Sequence, residues 1–220
     1  MIIFGTGFYG KIEDYKNHRI ETKFFHVFFV PLFPTSSMYV TSSSFRTRSG
    51  LELALHVKSI KAAYGRFFTF LLAAFFLYWT FENGIRHFLL GSIFGFAMTG
   101  LWIYLYFFYG KSTDEEIGTR DKVASCTGMY ALPHWFNFDQ AERRLIFFTA
   151  LYQEKYPDND WKADIRKGSK DHEKQRILYG IALFNCMVYD LPENEELYYK
   201  ADHDYQVSGN KAQAIEQALF

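Results

Sequence analysis

The sequence predicts a membrane α+β protein: a small N-terminal antiparallel β-sheet, a two-helix transmembrane hairpin and a C-terminal helical bundle. Three observations lead there. Two apolar blocks without a charge, FFTFLLAAFFLYWTF at 67–81 and FLLGSIFGFAMTGLWIYLYFFYG at 88–110, stand between polar flanks. The residues before them mix aromatic and β-branched side chains with Gly and Pro, as short strands do. The residues after them place apolar side chains at helical spacing between start and stop signals.

Composition agrees with burial in lipid. The 220 residues include 25 Phe, 16 Tyr and 4 Trp at a formal net charge of zero, and rings in that number need an apolar surrounding. A mean hydropathy of −0.14 averages the two blocks with their polar flanks. Cys126 and Cys186 form no CxxC pair, so neither a disulfide framework nor a zinc site is expected of them, only buried thiols. The start MIIFGTGFYG has no signal-peptide pattern and the end QALF no prenylation cysteine.

The second block is long enough to span, since a crossing helix needs about 20 apolar residues. The first reaches that length when Ala62, Ala63, Tyr64 and Gly65 extend it backwards and Arg66 snorkels its charge to the headgroups. Spans at about 62–81 and 88–110, inside a hairpin segment 58–110, leave 1–57 for the β-domain and 111–220 for the helical domain. Gly91 and Gly95 make a small-xxx-small step, and Ala73 and Ala74 offer a small face opposite, for packing within the hairpin or between two copies of it. Trp79, Trp102 and Tyr109 are expected at the interface, with Lys58, Lys61, Arg66 and Lys111 beside the headgroups. Basic residues gather at the outer ends of the hairpin while its loop carries only Arg86, so the positive-inside rule puts both termini in the cytoplasm of a multi-pass cell-membrane protein, the inner membrane in a bacterium.

In the N-terminal segment strands are expected at 7–15, 19–30, 37–45 and 51–57, the last burying Leu51, Leu53, Leu55 and Val57. Ile3-Phe4-Gly5-Thr6, the run Phe24-Phe25-His26-Val27-Phe28-Phe29-Val30-Pro31-Leu32-Phe33-Pro34, and Tyr39-Val40 resemble the small zinc-ribbon domains that open some bacterial membrane-associated proteins. The resemblance covers about residues 1–45. It implies the sheet but not the metal, because 9–17 and 41–44, where that family carries its cysteine pairs, hold none, and His18 and His26 alone do not make a four-ligand site. The aromatic run is expected either as the core strand of the sheet or as a surface resting on the bilayer. Residues 1–66 hold nine Lys and Arg against four Asp and Glu, a charge suited to an anionic leaflet. No element that reads nucleic acid accompanies it, so no nucleic-acid partner is expected.

Residues 111–220 hold 14 Lys and Arg against 19 Asp and Glu. Helices are expected at 113–129, 138–155, 171–189 and 210–220, with 158–170 a linker and Asp202-His203-Asp204 in a solvated loop. His134 and His203 are the weak catalytic candidates, and no GxSxG, HExxH or phosphate-cradling loop supports them. No cofactor or metal is expected. The sequence thus points to a noncatalytic scaffold or subunit of a membrane assembly, with the bilayer and a protein partner or second copy as its contacts. The alternatives are a membrane-bound enzyme on lipid or envelope substrates and a sensor of membrane state.

Overall fold

The computed structural model describes residues 4–44 and 47–218, with side chains described as far as residue 207. Two compact units divide it, one ending at Ile117 and one beginning at Gly118.

The first unit contains a four-stranded antiparallel meander, β1 (Phe4–Tyr15), β2 (His18–Val27), β3 (Val30–Ser43) and β4 (Arg48–Leu53), paired in chain order. It is followed by α1 (Val57–Asn83) and α2 (Leu89–Phe107). Two-residue turns close the first two hairpins: Lys16-Asn17 between the pair Tyr15 and His18, and Phe28-Phe29 between the pair Val27 and Val30. The second turn corrects the expected strand at 19–30. The aromatic run is not one strand but two, folded back at Phe28 and Phe29 with φ of 48° and 67°. The fourth strand also differs, since it ends at Leu53 and α1 begins at Val57. Leu55 and Val57 are exposed, and no four-residue buried face forms. His56 explains the early helix start, because its side chain accepts from Ser59 N–H and caps the first turn. Of the expected third strand, Phe45 lies outside the described residues.

Sheet and hairpin are joined through a buried line of hydroxyls. His56 N–H donates to Ser37 Oγ (2.9 Å), and Ser37 and Thr22 hydroxyls lie 2.8 Å apart. Thr22 then donates to Ser59 Oγ (2.9 Å), and Ser59 to the carbonyl of Gly10 (2.7 Å). With each hydroxyl donating once in the same direction, this buried polar chain is satisfied from end to end. At the far edge, Glu21 binds Arg19 (2.6 Å) and Arg48 (2.9 Å) at once, tying β2 to β4. Arg19 also donates to Ser43 Oγ (3.0 Å), so the cross-ties near 41–44 run through side-chain hydrogen bonds.

Along the hairpin, Ala62, Ala63, Thr69, Ala73 and Thr80 of α1 and Gly91, Ser92 and Gly95 of α2 are buried small residues. Thr80 and Ser92 hydroxyls lie 3.0 Å apart across the two helices. Thr69, Thr80, Ser92 and Thr99 each also donate to the carbonyl four residues back, so these hydroxyls are not left bare among apolar neighbours. A Cβ on Gly95 would sit 3.1 Å from Phe76 Cβ and 3.3 Å from Leu77 N, which makes Gly95 a point of close approach to α1. Gly91 instead accommodates the ring of Phe88 from the start of its own helix, and Ala74 is exposed on the outer side. The small-residue step thus divides: one glycine serves the helix pair and the other a local ring.

The second unit is helical. It holds most of α3 (Asp114–Thr127), one 3-10 turn (Pro133–Trp135), α4 (Phe138–Lys155), α5 (Trp161–Lys167), α6 (His172–Val188) and α7 (Pro192–Ala218). α4 has the expected bounds because Asn137 and Gln140 form a reciprocal capping box at its start. Ten consecutive-turn residues of α6 are buried, among them Ile177, Ile181 and Phe184, with Phe148 stacked on Phe184 at 5.9 Å. Two expectations are corrected. The stretch 158–170 is not all linker, since Asp160 caps α5 within it. The last helix starts at Pro192 rather than 210, placing Asp202-His203-Asp204 on a helix and not in a loop. Ala214, Ile215 and Ala218, expected as its apolar face, lie outside the described side chains.

Asp164 anchors α5. It accepts from Lys174 Nζ (2.5 Å), Asn159 Nδ2 (3.0 Å) and the Tyr152 hydroxyl. Burial alone raises its pKa, but those hydrogen bonds outweigh it and hold the carboxyl below the usual carboxylate range. A depressed folded value means the stabilisation is complete above pH of about 4 and lost as pH falls through the folded pKa. Asp164→Asn is therefore expected to lower the stability of this unit at pH 7 and to flatten its dependence on pH below about 4, read by thermal denaturation between pH 2 and 7.

Candidate functional site

The densest set of charges in the first unit lies at the foot of the hairpin, where β1 passes the start of α1 and the end of α2. β1 bulges twice there, between Tyr9 and Ile12 and between Ile12 and Tyr15, and Glu13 takes a φ of 53°. A bulge re-aims a side chain out of the strand's alternation. It sends the Glu13 carboxylate, 3% exposed, between both ends of the hairpin. One oxygen accepts from Lys58 Nζ and the other from Ser112 Oγ, each at 2.5 Å. Glu13 N–H donates to the Gly110 carbonyl at 2.7 Å.

Arg66 works from above. Its Nε donates to the Leu105 carbonyl (2.8 Å), one terminal nitrogen to the Lys11 carbonyl (2.7 Å), and the other lies 3.5 Å from the Tyr109 carbonyl. The last four carbonyls of a helix have no partner inside it. One guanidinium on α1 thus caps the end of α2 and ties both to β1. Its charge is engaged by backbone carbonyls. Two cavities flank it. One, about 470 Å³, is lined by Lys11, Asp14, Tyr106, Tyr109 and Lys111 among others. The second, about 340 Å³, is more apolar, with Phe8, Phe67, Phe70 and Trp102 in its wall.

The remaining interface residues distribute along the hairpin. Lys61 and Lys111 are exposed, Lys111 over the Phe108 ring at 5.3 Å. Trp102 packs between Phe70 and Tyr106, and Trp79 stacks on Phe75 towards the loop end. Tyr109 is half-buried beside Arg66. The tie between Glu13 and Ser112 escaped the sequence reading because 99 positions separate them; the spacing of Ser112 to Glu115 suits a capping box, but that box is formed one residue later by Thr113 and Glu116, which leaves Ser112 to Glu13.

Neither catalytic candidate lines the two cavities at the foot of the hairpin. His134 is exposed at the 3-10 turn, edge-on to Trp135 at 6.0 Å. The His203 side chain is 75% exposed on α7 beside Asp204. Asp202 points elsewhere and pairs with Lys122 at 2.6 Å. Successive helix residues project about 100° apart, so this acidic-histidine triplet does not converge. Among the described residues no group of three or more His, Cys, Asp or Glu side chains is disposed to hold a metal ion.

Burial pushes the Cys126 thiol up to about 12, and its Sγ donates to the Val123 carbonyl at 3.2 Å. A rise of three units cuts the thiolate fraction roughly a thousandfold. Cys126 is expected to resist maleimide at pH 8 in the folded chain and to react after denaturation, as counted by mass spectrometry of alkylated peptides. Fast labelling in the folded state would mean that the α3 packing opens.

The foot of the hairpin is thus an electrostatic joint whose carboxylate and guanidinium are both engaged, with two cavities beside it. No family model, curated protein or solved structure matches this chain.

Proposed function

We propose that the protein crosses the bilayer twice through α1 and α2, keeps both termini on the cytoplasmic side, and acts as a noncatalytic scaffold or subunit of a larger membrane assembly. The observation that carries the spanning reading is the match of length and surface. Both helices are long and apolar enough to cross a membrane. α2, with 19 residues, is about 28 Å long, close to the hydrocarbon thickness of about 30 Å. Outward side chains such as Phe81 and Leu90 are 87% and 83% exposed. A water-facing surface of that kind is not found on monomeric soluble proteins.

Orientation rests on Lys61, Lys111 and the other basic residues at the outer ends of the hairpin against Arg86 alone in the loop. The scaffold reading is supported by the engaged state of the charged joint and by the second unit, whose exposed Ile146 and Phe147 on α4 are apolar surface left for other molecules. The enzyme alternative draws less support, given the exposure of His134 and His203.

The test has two parts. The chain is expected to stay in the membrane pellet after alkaline carbonate washing, and a cysteine introduced at Arg86 is expected to label from outside intact cells while one at Lys61 does not. Release by carbonate, or labelling only at Lys61, would overturn the spanning or the orientation. Mild detergent extraction followed by mass spectrometry is expected to recover other membrane proteins at fixed stoichiometry, and a lone chain would count against the subunit reading.

A further inference from the structure

The two φ-positive positions of a tight hairpin turn normally hold Asn and Gly, which adopt that backbone without strain. The β1–β2 turn follows the rule in part, with Asn17 at its second position. The β2–β3 turn breaks it twice, with Phe28 and Phe29 at φ of 48° and 67°. The Phe29 ring stacks on His26 at 6.1 Å, but among the described residues burial does not cover either ring of the turn. Phe28 and Phe29 are 55% and 64% exposed, and Phe4, next to the tip opposite Val27, is 70% exposed. Phe33 on β3 is 66% exposed. Four phenylalanines therefore gather at one end of the sheet, two of them in a conformation that phenylalanine disfavours.

The direction of that end is fixed by contacts within the unit. Ser59, in the first turn of α1, is level with Thr22 of β2. Further along, the Tyr64 hydroxyl donates to the Leu32 carbonyl at 2.6 Å, and its ring meets Phe24 edge-on at 5.3 Å and stacks towards Phe68 at 6.3 Å. β2 thus advances in the same direction as α1, and the four residues from Phe24 to Phe28 carry the tip about 13 Å further on. That is the side of Tyr64 on which the uncharged block of α1 lies.

We infer that the Phe28-Phe29 hairpin tip, with Phe4 and Phe33, inserts into the cytoplasmic leaflet as a third membrane contact beside the two spans. The inference rests on the spanning reading above. A lipid surface fits better than a protein partner because the tip shares its side of Tyr64 with the apolar part of α1, and phenylalanine rings partition to the acyl boundary without needing a hydrogen-bond partner. The rings bound in lipid offset the backbone strain that exposure to water leaves uncompensated.

The test uses the full chain, with Cys126 and Cys186 replaced by Ala, in vesicles of phosphatidylcholine and phosphatidylglycerol. Single cysteines at Phe29 and, independently, Phe33 carry an environment-sensitive fluorophore. Reference labels sit at Phe96 on α2 and at Ser42, an exposed residue at the far end of β3. Quenching by nitroxide lipids and by aqueous iodide is read at each position. The Phe29 and Phe33 labels are expected to shift to the blue, to be quenched by the lipid-borne nitroxide and to lose iodide quenching, as Phe96 does and Ser42 does not. If Phe96 is quenched by lipid while Phe29 and Phe33 behave as Ser42, the tip faces water or a protein and the inference fails alone. If Phe96 itself is open to iodide, the spanning reading fails and takes the inference with it.

Discussion

Gly10→Ala is expected to detach the sheet from the hairpin. A Cβ at residue 10 would lie 2.1 Å from the Ser59 carbonyl oxygen and 3.0 Å from its Oγ, and the backbone there has a φ of +68°. The conformation alone costs about 1–2 kcal/mol for a residue with a Cβ. Forcing backbone against backbone in a packed joint adds about 1–3 kcal/mol, and the shift pulls Ser59 off the Gly10 carbonyl and breaks the hydroxyl line at its end. Gly84→Ala provides the control for strain without a clash, because its φ of +76° with ψ of 151° is a backbone that essentially only glycine adopts and nothing lies within 4 Å of the added atom. It should show the conformational cost alone. Urea-dependent proteolysis of the detergent-solubilised chain, followed at sheet peptides, reads both. Equal losses for the two variants would mean that the Gly10–Ser59 approach is not what holds the sheet.

Arg66→Leu is the second large effect. Hydrogen bonds from charged donors are worth about 1.5–3 kcal/mol each, and Arg66 makes two good ones, to Leu105 and Lys11, from opposite sides of the joint. Half-burial tempers the sum, leaving about 3 kcal/mol as the expected loss. Leucine leaves the Leu105 carbonyl bare and frays the last turn of α2. Arg66→Lys should rescue little, since an ammonium cannot span three carbonyls as the planar fork does. Hydrogen exchange gives the readout: the amides of Phe108, Tyr109 and Glu13 should exchange faster in both variants, while those near Gly95 should not change. Full protection in Arg66→Lys would show that charge, not the fork, is what the site requires.

Local chemistry made some of this legible in advance. The helical spacing of Phe138, Ala141, Leu145, Phe148 and Leu151 announced α4, and the absence of charge over 67–81 and 88–110 announced the two long helices. Other features ran against local rules. The turn at Phe28-Phe29 was hidden because its residues are those of a strand, and only pairing of Val27 with Val30 reveals the fold-back. α7 carried a start signal in Pro192 with Glu193 and Glu195 behind it, and a face of Leu197, Ala201 and Tyr205 spaced by four and buried in the fold, but the charged residues crowded between them masked that period. The joint was the least legible part. Glu13, Lys58, Arg66, Gly110 and Ser112 lie far apart in the chain, and a bulge that brings them together leaves no mark in spacing.

α1 is 27 residues long, about 40 Å, against a hydrocarbon thickness of about 30 Å. Its surplus is the length to which the hydroxyl line and Glu13 fasten the sheet. The helix and the sheet therefore form a crank: under the spanning proposed above, a change in bilayer thickness that tilts α1 would swing the whole sheet through the same angle, and the Arg66 tie would make α2 follow rather than slip. Lipid composition would then reach the sheet as a rotation.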